Sequence, residues 1–409
     1  MLWWMWMACG HKTLDFGKDQ PTDLSGEVDP STTHPSCLEG DELIMTTPNE
    51  GDYEDFKDEG FARYTSIVAP NGGVIPIFAQ GQVSDAQLLR ARNLLRFFLT
   101  NTPDSQWGSD KSAVANAMAD NGAALVMPNG AHEEWNEPQL DAQPLYAAET
   151  PVEGGAWFMN SNYDHRDAAF EEIFHLVHDT GIGTYLPGAL PSYQSDLDSE
   201  ARAAIADGRW GIPIEPGVEE WLEELEREDS LAQEYIASVI DSYYGLWGAW
   251  DEDDGGMWGI YIAKTRSEVE TLDPAGEQLL RAFLPEYIHT GFAVHPDFSG
   301  GFDMAFDSQA DYTHRSQYFQ HLSLSGDNSS DLYGNALDNT LRGNAGNNVL
   351  DGREGEDTVI YCDERSVYTV TATEDGTLIS GPEGDDSLRN VEWLHFADGR
   401  IALEELVGE

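Results

Sequence analysis

The chain is short of basic residues, with 21 Lys and Arg against 75 Asp and Glu, for a formal net charge of −54 over 409 residues. A surface of that sign repels phosphate backbones and anionic membranes, which speaks against nucleic acid as a partner. It suits a protein that meets divalent cations or high salt outside the cell, although solubility alone would account for the same charge. Cysteine is scarce as well: Cys9, Cys37 and Cys362 cannot build a disulfide framework, and although Cys37 and Cys362 could bridge, no spacing pattern pairs them. No run of the sequence reaches the roughly 18–20 apolar residues of a membrane span. Apolar side chains are nonetheless plentiful, at 40% of the chain with 12 Trp, enough for a sizeable core spread over two or three domains.

The first residues, "MLWWMWMACG", are apolar and then turn polar at once. They are too short for a whole signal peptide and carry no basic n-region. They resemble the end of a bacterial lipoprotein signal, with Ala8 before a lipid-bearing Cys9; on that reading residues 1–9 are a truncated signal and Cys9 a lipid anchor. The alternative is an unstructured start with a stray Cys. Residues 10–55 are rich in Asp, Ser, Thr, Pro and Gly and read as a disordered acidic linker.

Ordered structure is expected from about residue 56. "TSIVAP" and "VIPIFAQ" flank "NGG" and read as a hairpin. "SDAQLLRARNLLRFFLT" reads as a helix, with Ser84 and Gln87 placed to form a capping box and Leu88, Ala91, Leu95 and Phe98 at helical spacing. A shorter helix is expected over 112–119, strands at "AALVMP" (123–128) and "GAWFMN" (155–160), and a helix over about 166–179. "EARAAIA", "VEEWLEELERE" and "LAQEYIASVIDSYYGLW" read as further helices. Residues 256–322 form a mixed connecting segment, with "MWGIYIA" as a strand and "GEQLLRAFL" as a helix.

From residue 325 the chain falls into nine-residue rows: "SGDNSSDLY", "GNALDNTLR", "GNAGNNVLD" and "GREGEDTVI". Position eight is apolar in each (Leu332, Leu341, Leu350, Val359), and Gly334, Gly343 and Gly352 hold position one. This is the period of the calcium-binding parallel β-helix, in which glycine allows the tight turn, an acidic residue supplies an oxygen ligand and the apolar residue fills the coil. Position six reads Ser330, Asn339, Asn348 and Asp357, so one row keeps the carboxylate. Rows of one handedness recur every second turn, which points to a calcium site between 334–342 and 352–360. There, carbonyls near Gly334, Ala336, Gly352 and Gly355 and the position-six residues Asn339 and Asp357 would surround the ion. Calcium takes six to eight oxygens, so the missing carboxylates should weaken binding. With the tail "LRNVEWLHFADGRIALEEL", the rows resemble the C-terminal module of RTX proteins and serralysin-type secreted proteases. The resemblance spans about 325–409 and implies export by type I secretion and folding on extracellular calcium, a route at odds with a lipoprotein anchor.

A second metal signature lies in "FEEIFHLVHDTG", residues 170–181. Residues four apart share a helix face, so Glu171 and His175 could hold one ion as the two His of H-E-x-x-H do, with Glu172 beside it. Phe170, Ile173, Phe174 and Val177 fall on the opposite face and can make core. Glu-Glu-x-x-His also occurs freely on ordinary surface helices, so the pattern alone does not settle the matter. With "GAWFMN" upstream and Glu234 on the helix "AQEYIASVIDSYYG" downstream, the region resembles the gluzincin metallopeptidases, particularly the anthrax-lethal-factor-like zincins. That resemblance implies an α+β zincin-like catalytic domain over 56–255, ahead of the all-β roll over 323–409. It implies Glu171, His175 and Glu234 as ligands of zinc or another divalent transition metal and Glu172 as general base; His178, Glu200 and Asp241 are rival ligands. The departure is Glu171, which stands where the family has His. A Glu-His-Glu set leaves a zinc site near neutral, polarises water less, and makes manganese or calcium more competitive.

These features together lead to an exported, zincin-like metallopeptidase acting on peptide or protein substrates and carrying a calcium-binding RTX module. The rival is a non-catalytic calcium-dependent surface or adhesion protein built on a degenerate zincin scaffold.

Overall fold

The fold, a computed structural model, is described for residues 14–16, 37, 43–131, 140–163, 166–184, 186–214, 216–252 and 254–407. Cys9, the lipid-anchor candidate, and residues 132–139 lie outside the described residues.

The hairpin forms as its turn signal requires: Arg63–Val68 and Val74–Ala79 pair antiparallel, with Val68 opposite Val74. They sit in a five-stranded sheet with Met45–Thr46 at one edge and Leu125–Met127 and Gln143–Pro144 at the other. The last three strands run parallel. All six residues of Val74–Ala79 are buried because both faces of the sheet are covered. On one face Phe78 stacks on Phe56, at 4.2 Å between ring centroids, in a small aromatic cluster with Phe16 and Phe61. On the other lie the helices.

The helix Asp85–Leu99 starts at the expected capping box: the Ser84 hydroxyl accepts from the Gln87 N–H and the Gln87 side chain accepts from the Ser84 N–H. Behind it pack Ser112–Asp120, Ala169–Val177, Pro191–Ala206, Val218–Glu228 and Leu231–Tyr243. The Ala169–Val177 and Leu231–Tyr243 helices are buried along their whole lengths. This all-round burial fits a central position in the helical layer.

Two expected strands are helical instead. "GAWFMN" forms the short helix Ala156–Met159. Gly154, at φ +77°, turns the chain into it, Phe158 is buried, and Arg315 donates to the Phe158 carbonyl at 2.7 Å. The strand beside the metal-type helix is Gln143–Pro144, which runs parallel to its neighbour. "MWGIYIA" begins with a one-turn 3₁₀ segment, Met257–Gly259, and makes only isolated bridges through Tyr261. Met257 and Trp258 both adopt left-handed φ (49° and 51°), which a strand cannot accommodate.

The nine-residue rows coil into a two-sided roll. Thr340–Arg342 and Thr358–Ile360 pair parallel in one sheet, and Asp331–Tyr333 and Val349–Asp351 in the other. Leu332, Leu341, Leu350 and Val359 fill the space between them and are fully buried. The sheets begin upstream of the rows, with Phe292–Ala293, Gly301–Asp303 and His321–Ser323 as the first rungs. Downstream, Gly384–Arg389 and Trp393–Phe396 each join a row strand in parallel, and each is flanked by an antiparallel strand, Gly376–Gly381 and Gly399–Ala402. The roll and the helical layer share one continuous hydrophobic core. Cys37 and Cys362 form a disulfide.

Candidate metal centres

The first centre is built by two buried helices. Ala169–Val177 carries Glu171, Glu172 and His175, and Leu231–Tyr243 carries Glu234 and Asp241. One ligand atom each from Glu171, His175 and Glu234 lies within 4.8 Å of the other two. His175 Nε2 is 3.7 Å from Glu234 Oε1 and, buried, has no hydrogen-bond partner among the described residues. An imidazole nitrogen left unpartnered between two carboxylates is a donor set that fits a divalent transition metal.

Glu172 lies beside this set. Its Oε2 accepts from Gln143 Nε2 at 2.6 Å, which fixes the carboxyl, while Oε1 is buried without a hydrogen bond among the described residues. Gln143 comes from the edge strand, so sheet and helix together orient this side chain.

Charge is unevenly matched here. Glu171, Glu172, Glu234 and Asp241 are all buried, and the nearest permanent cation is Arg166, which ion-pairs with Glu171 and reaches Asp241 at 3.4 Å. Its guanidinium also lies 5.1 Å from the ring of Trp258. Burial pushes Glu172 up to about 8 and Asp241 up to about 7, in both cases against the pull of Arg166. Burial raises Glu234 and lowers His175 in the same way. More buried carboxylates than cations means that the pocket must hold protons or take in a cation.

Of the rival ligands, Asp241 lies in this centre bound to Arg166, and the other two face elsewhere. The His178 ring hydrogen-bonds Gln194 and packs on Phe174, and burial drops it to about 4. Glu200 pairs with Arg209 at 2.7 Å in a separate network. A small cavity of about 30 Å³ adjoins the centre, lined in part by Gln143, Leu176 and Asp179. Arg166 and Gln143 were not singled out from the sequence. Neither sits at a motif spacing, and only the fold brings them to the helix.

The second centre is in the roll. Asp357 Oδ1 accepts from the Asn339 N–H at 2.7 Å, and Oδ2 is buried with no hydrogen bond among the described residues. The Gly352 α-carbon faces that oxygen and the Asn390 carbonyl so closely that a Cβ there would collide with both. Burial, and after it the neighbouring carboxylates Glu392, Asp338 and Asp351, push Asp357 up to about 7 against the pull of the Asn339 N–H. An orphaned carboxylate oxygen beside a main-chain carbonyl, in a cradle only glycine fits, suits calcium. Rows 334–342 and 352–360 do lie on the same face. Gly334, Ala336 and Gly355 sit in their turns, but Asn339 presents its side-chain oxygen to the Asn335 N–H. Two further carboxylates extend these positions beyond the rows: Asp386 accepts from the Asn348 N–H and Glu392 from the Asp357 N–H. They belong to rungs that break the nine-residue period, which hides them from a search by row.

No curated protein and no solved structure matches the chain. Residues 333–361 match the RTX calcium-binding nonapeptide repeat in four copies, and the chain therefore carries a calcium-binding module of a kind typical of secreted or extracellular proteins.

Proposed function

We propose that the protein is an exported, metal-dependent peptidase of the zincin type, with the RTX module as its calcium-binding part. The reading rests on one observation: two buried helices bring Glu171, His175 and Glu234 within ligand distance of one another. In this role those three hold the metal. A bound divalent metal would supply Lewis acidity and lower the pKa of a water in an open position. Glu172 is the proton acceptor once a bound cation lowers its raised pKa and holds it ionised: Gln143 holds one carboxyl oxygen, and the other, Oε1, would take a proton from the attacking water and return it to the leaving amine. Asp241 keeps Arg166 beside the site as a counter-charge.

A second reading, the non-catalytic scaffold, is favoured by two observations. Arg166 already engages Glu171, and the adjoining cavity of about 30 Å³ has room for a water but not for a peptide. One pair of measurements separates the readings. Elemental analysis of the purified protein should find one transition metal per chain, lost in Glu171→Ala, His175→Ala and Glu234→Ala but kept in His178→Ala. Cleavage of an unstructured protein, with calcium and either zinc or manganese supplied, should fall by about 10²–10⁴-fold in Glu172→Gln with metal content unchanged. Wild-type protein that binds the metal but cleaves no faster than the Gln variant would put the scaffold in place of the enzyme. Protein that binds no transition metal would remove the site itself.

A further inference from the structure

We infer that in the inner turns of the roll asparagine side chains take the place of calcium, so that these turns stand without the ion and a single calcium seat remains, at Asp357. The argument starts from a repeated pair. Rows 334–342 and 343–351 both carry Asn at positions two and six: Asn335 with Asn339, and Asn344 with Asn348. All four are buried.

Nine residues apart, the two pairs make the same bonds. Asn339 Oδ1 accepts from the Asn335 N–H at 2.9 Å, and Asn348 Oδ1 from the Asn344 N–H at 2.9 Å. Asn339 Nδ2 donates to Asn335 Oδ1 and Asn348 Nδ2 to Asn344 Oδ1, each at 3.0 Å. The amide groups then reach across to the turn one rung earlier. Asn335 Nδ2 donates to the Phe319 carbonyl at 2.9 Å, Asn344 Nδ2 to the Ser325 and Asn328 carbonyls at 3.0 Å, and Asn348 Nδ2 to the Ser330 carbonyl at 2.7 Å.

Calcium in a roll would need just such main-chain carbonyls, together with side-chain oxygens that have lone pairs to spare. Here the carbonyls are occupied by N–H donors, and each position-six oxygen already accepts a main-chain N–H. An N–H pointing into the turn repels a cation. The amide pairs therefore satisfy the buried turn carbonyls that an ion would otherwise satisfy.

The pattern stops at the last row. Position two of 352–360 is Arg353, whose guanidinium leaves the turn to pair with Asp303 at 2.6 Å, and position six is Asp357. Asp357 Oδ2 has no hydrogen bond among the described residues. On the other face the corresponding carboxylate, Asp386, is already taken up: Oδ1 by the Asn348 N–H and Oδ2 by the Tyr361 hydroxyl at 3.1 Å. One seat is left.

The test uses the full chain. Equilibrium dialysis against calcium should give one ion per chain, lost in Asp357→Asn. Hydrogen exchange in excess chelator should leave the strands Asp331–Tyr333, Thr340–Arg342 and Val349–Asp351 as protected as in calcium. Asn339→Asp should bind a second ion, because it exchanges the amide donor for a carboxylate, and should lose part of that protection in chelator. Wild-type protein that binds two or more ions, or none, overturns the proposal, as does wild-type protein whose row strands exchange freely in chelator.

Discussion

His289 packs on Phe97 of the helical layer and His321 opens the roll strand His321–Ser323, and His289 Nε2 and His321 Nδ1 are buried without a hydrogen bond among the described residues. The cationic neighbours of His289 are Lys111 and Arg96, joined by His321 when that ring is protonated. Burial, then these neighbours, lower His289 to about 4, and burial alone lowers His321 to about 4. The folded state thus prefers both rings neutral, while the unfolded chain protonates them near 6.5. Their contribution to stability is complete above pH 6.5 and is lost as pH falls from 6.5 towards 4, by about 1–3 kcal/mol for each ring. Urea midpoints measured across that window should fall with pH, and His289→Gln with His321→Gln should flatten the slope; an unchanged slope would show that the rings are protonated in the folded protein. Single residues were unevenly legible in the sequence. Glu171, His175 and Glu234 could be named because helix periodicity and a family pattern carry them. Arg166, Gln143 and the ring of Trp258 could not, since each arrives from a loop or edge strand whose position depends on the whole fold. The paired asparagines stand in the sequence at a fixed spacing, but at position six an amide reads only as a missing carboxylate, and its bonding partners come from turns that the fold brings together.

Among the elements, the helices and the rows were the readable part. Asp85–Leu99 shows why: a capping box, a long apolar period and a Thr100 end all agree. Gln87 does more than cap, since its amide also donates to the Ala147 and Thr150 carbonyls at 2.7 and 3.0 Å and so ties the helix start to the chain leading to the metal-type helix. Ser84→Ala removes one acceptor and leaves those tethers, so it should cost about 0.5–2 kcal/mol in urea unfolding with an unchanged denaturant slope. Gln87→Ala should cost more, because two carbonyls lose their donor as well; equal losses for the two variants would show that the tethers contribute nothing. The misread elements were both short apolar runs. "GAWFMN" and "MWGIYIA" have strand-like composition, but runs of this length carry no usable period. Their conformations were decided by glycine turns, by Arg315 on the Phe158 carbonyl, and by the packing of Trp258 on Trp247 at 5.0 Å.

At the scale of the whole molecule, a net charge of −54 works against compactness, and two devices hold the chain together in spite of it. One is the continuous core from the sheet through the helices into the roll. The other is the Cys37–Cys362 disulfide, which joins residues 325 apart in sequence and ties the segment before the sheet to the end of the nonapeptide rows. Composition could allow this bridge but not select it, because pairing across such a distance follows from the finished fold and not from any local spacing. In the chain-entropy picture, a cross-link that closes so long a loop restricts the unfolded chain more than a short one does, with a ceiling of about 5–6 kcal/mol. Charge repulsion expands the unfolded chain further, so the restriction should weigh more at low salt. Such bonds persist in oxidising compartments, in keeping with the extracellular setting typical of the repeat. Thermal unfolding in chelator, with and without reductant, should therefore show a lower midpoint for the reduced protein, and Cys37→Ser should reproduce it without reductant. The gap between oxidised and reduced forms should narrow as salt is raised. A Cys37→Ser variant that melts with the oxidised wild type at low salt would mean that the bridge does not form in solution, and that the core alone resists the repulsion.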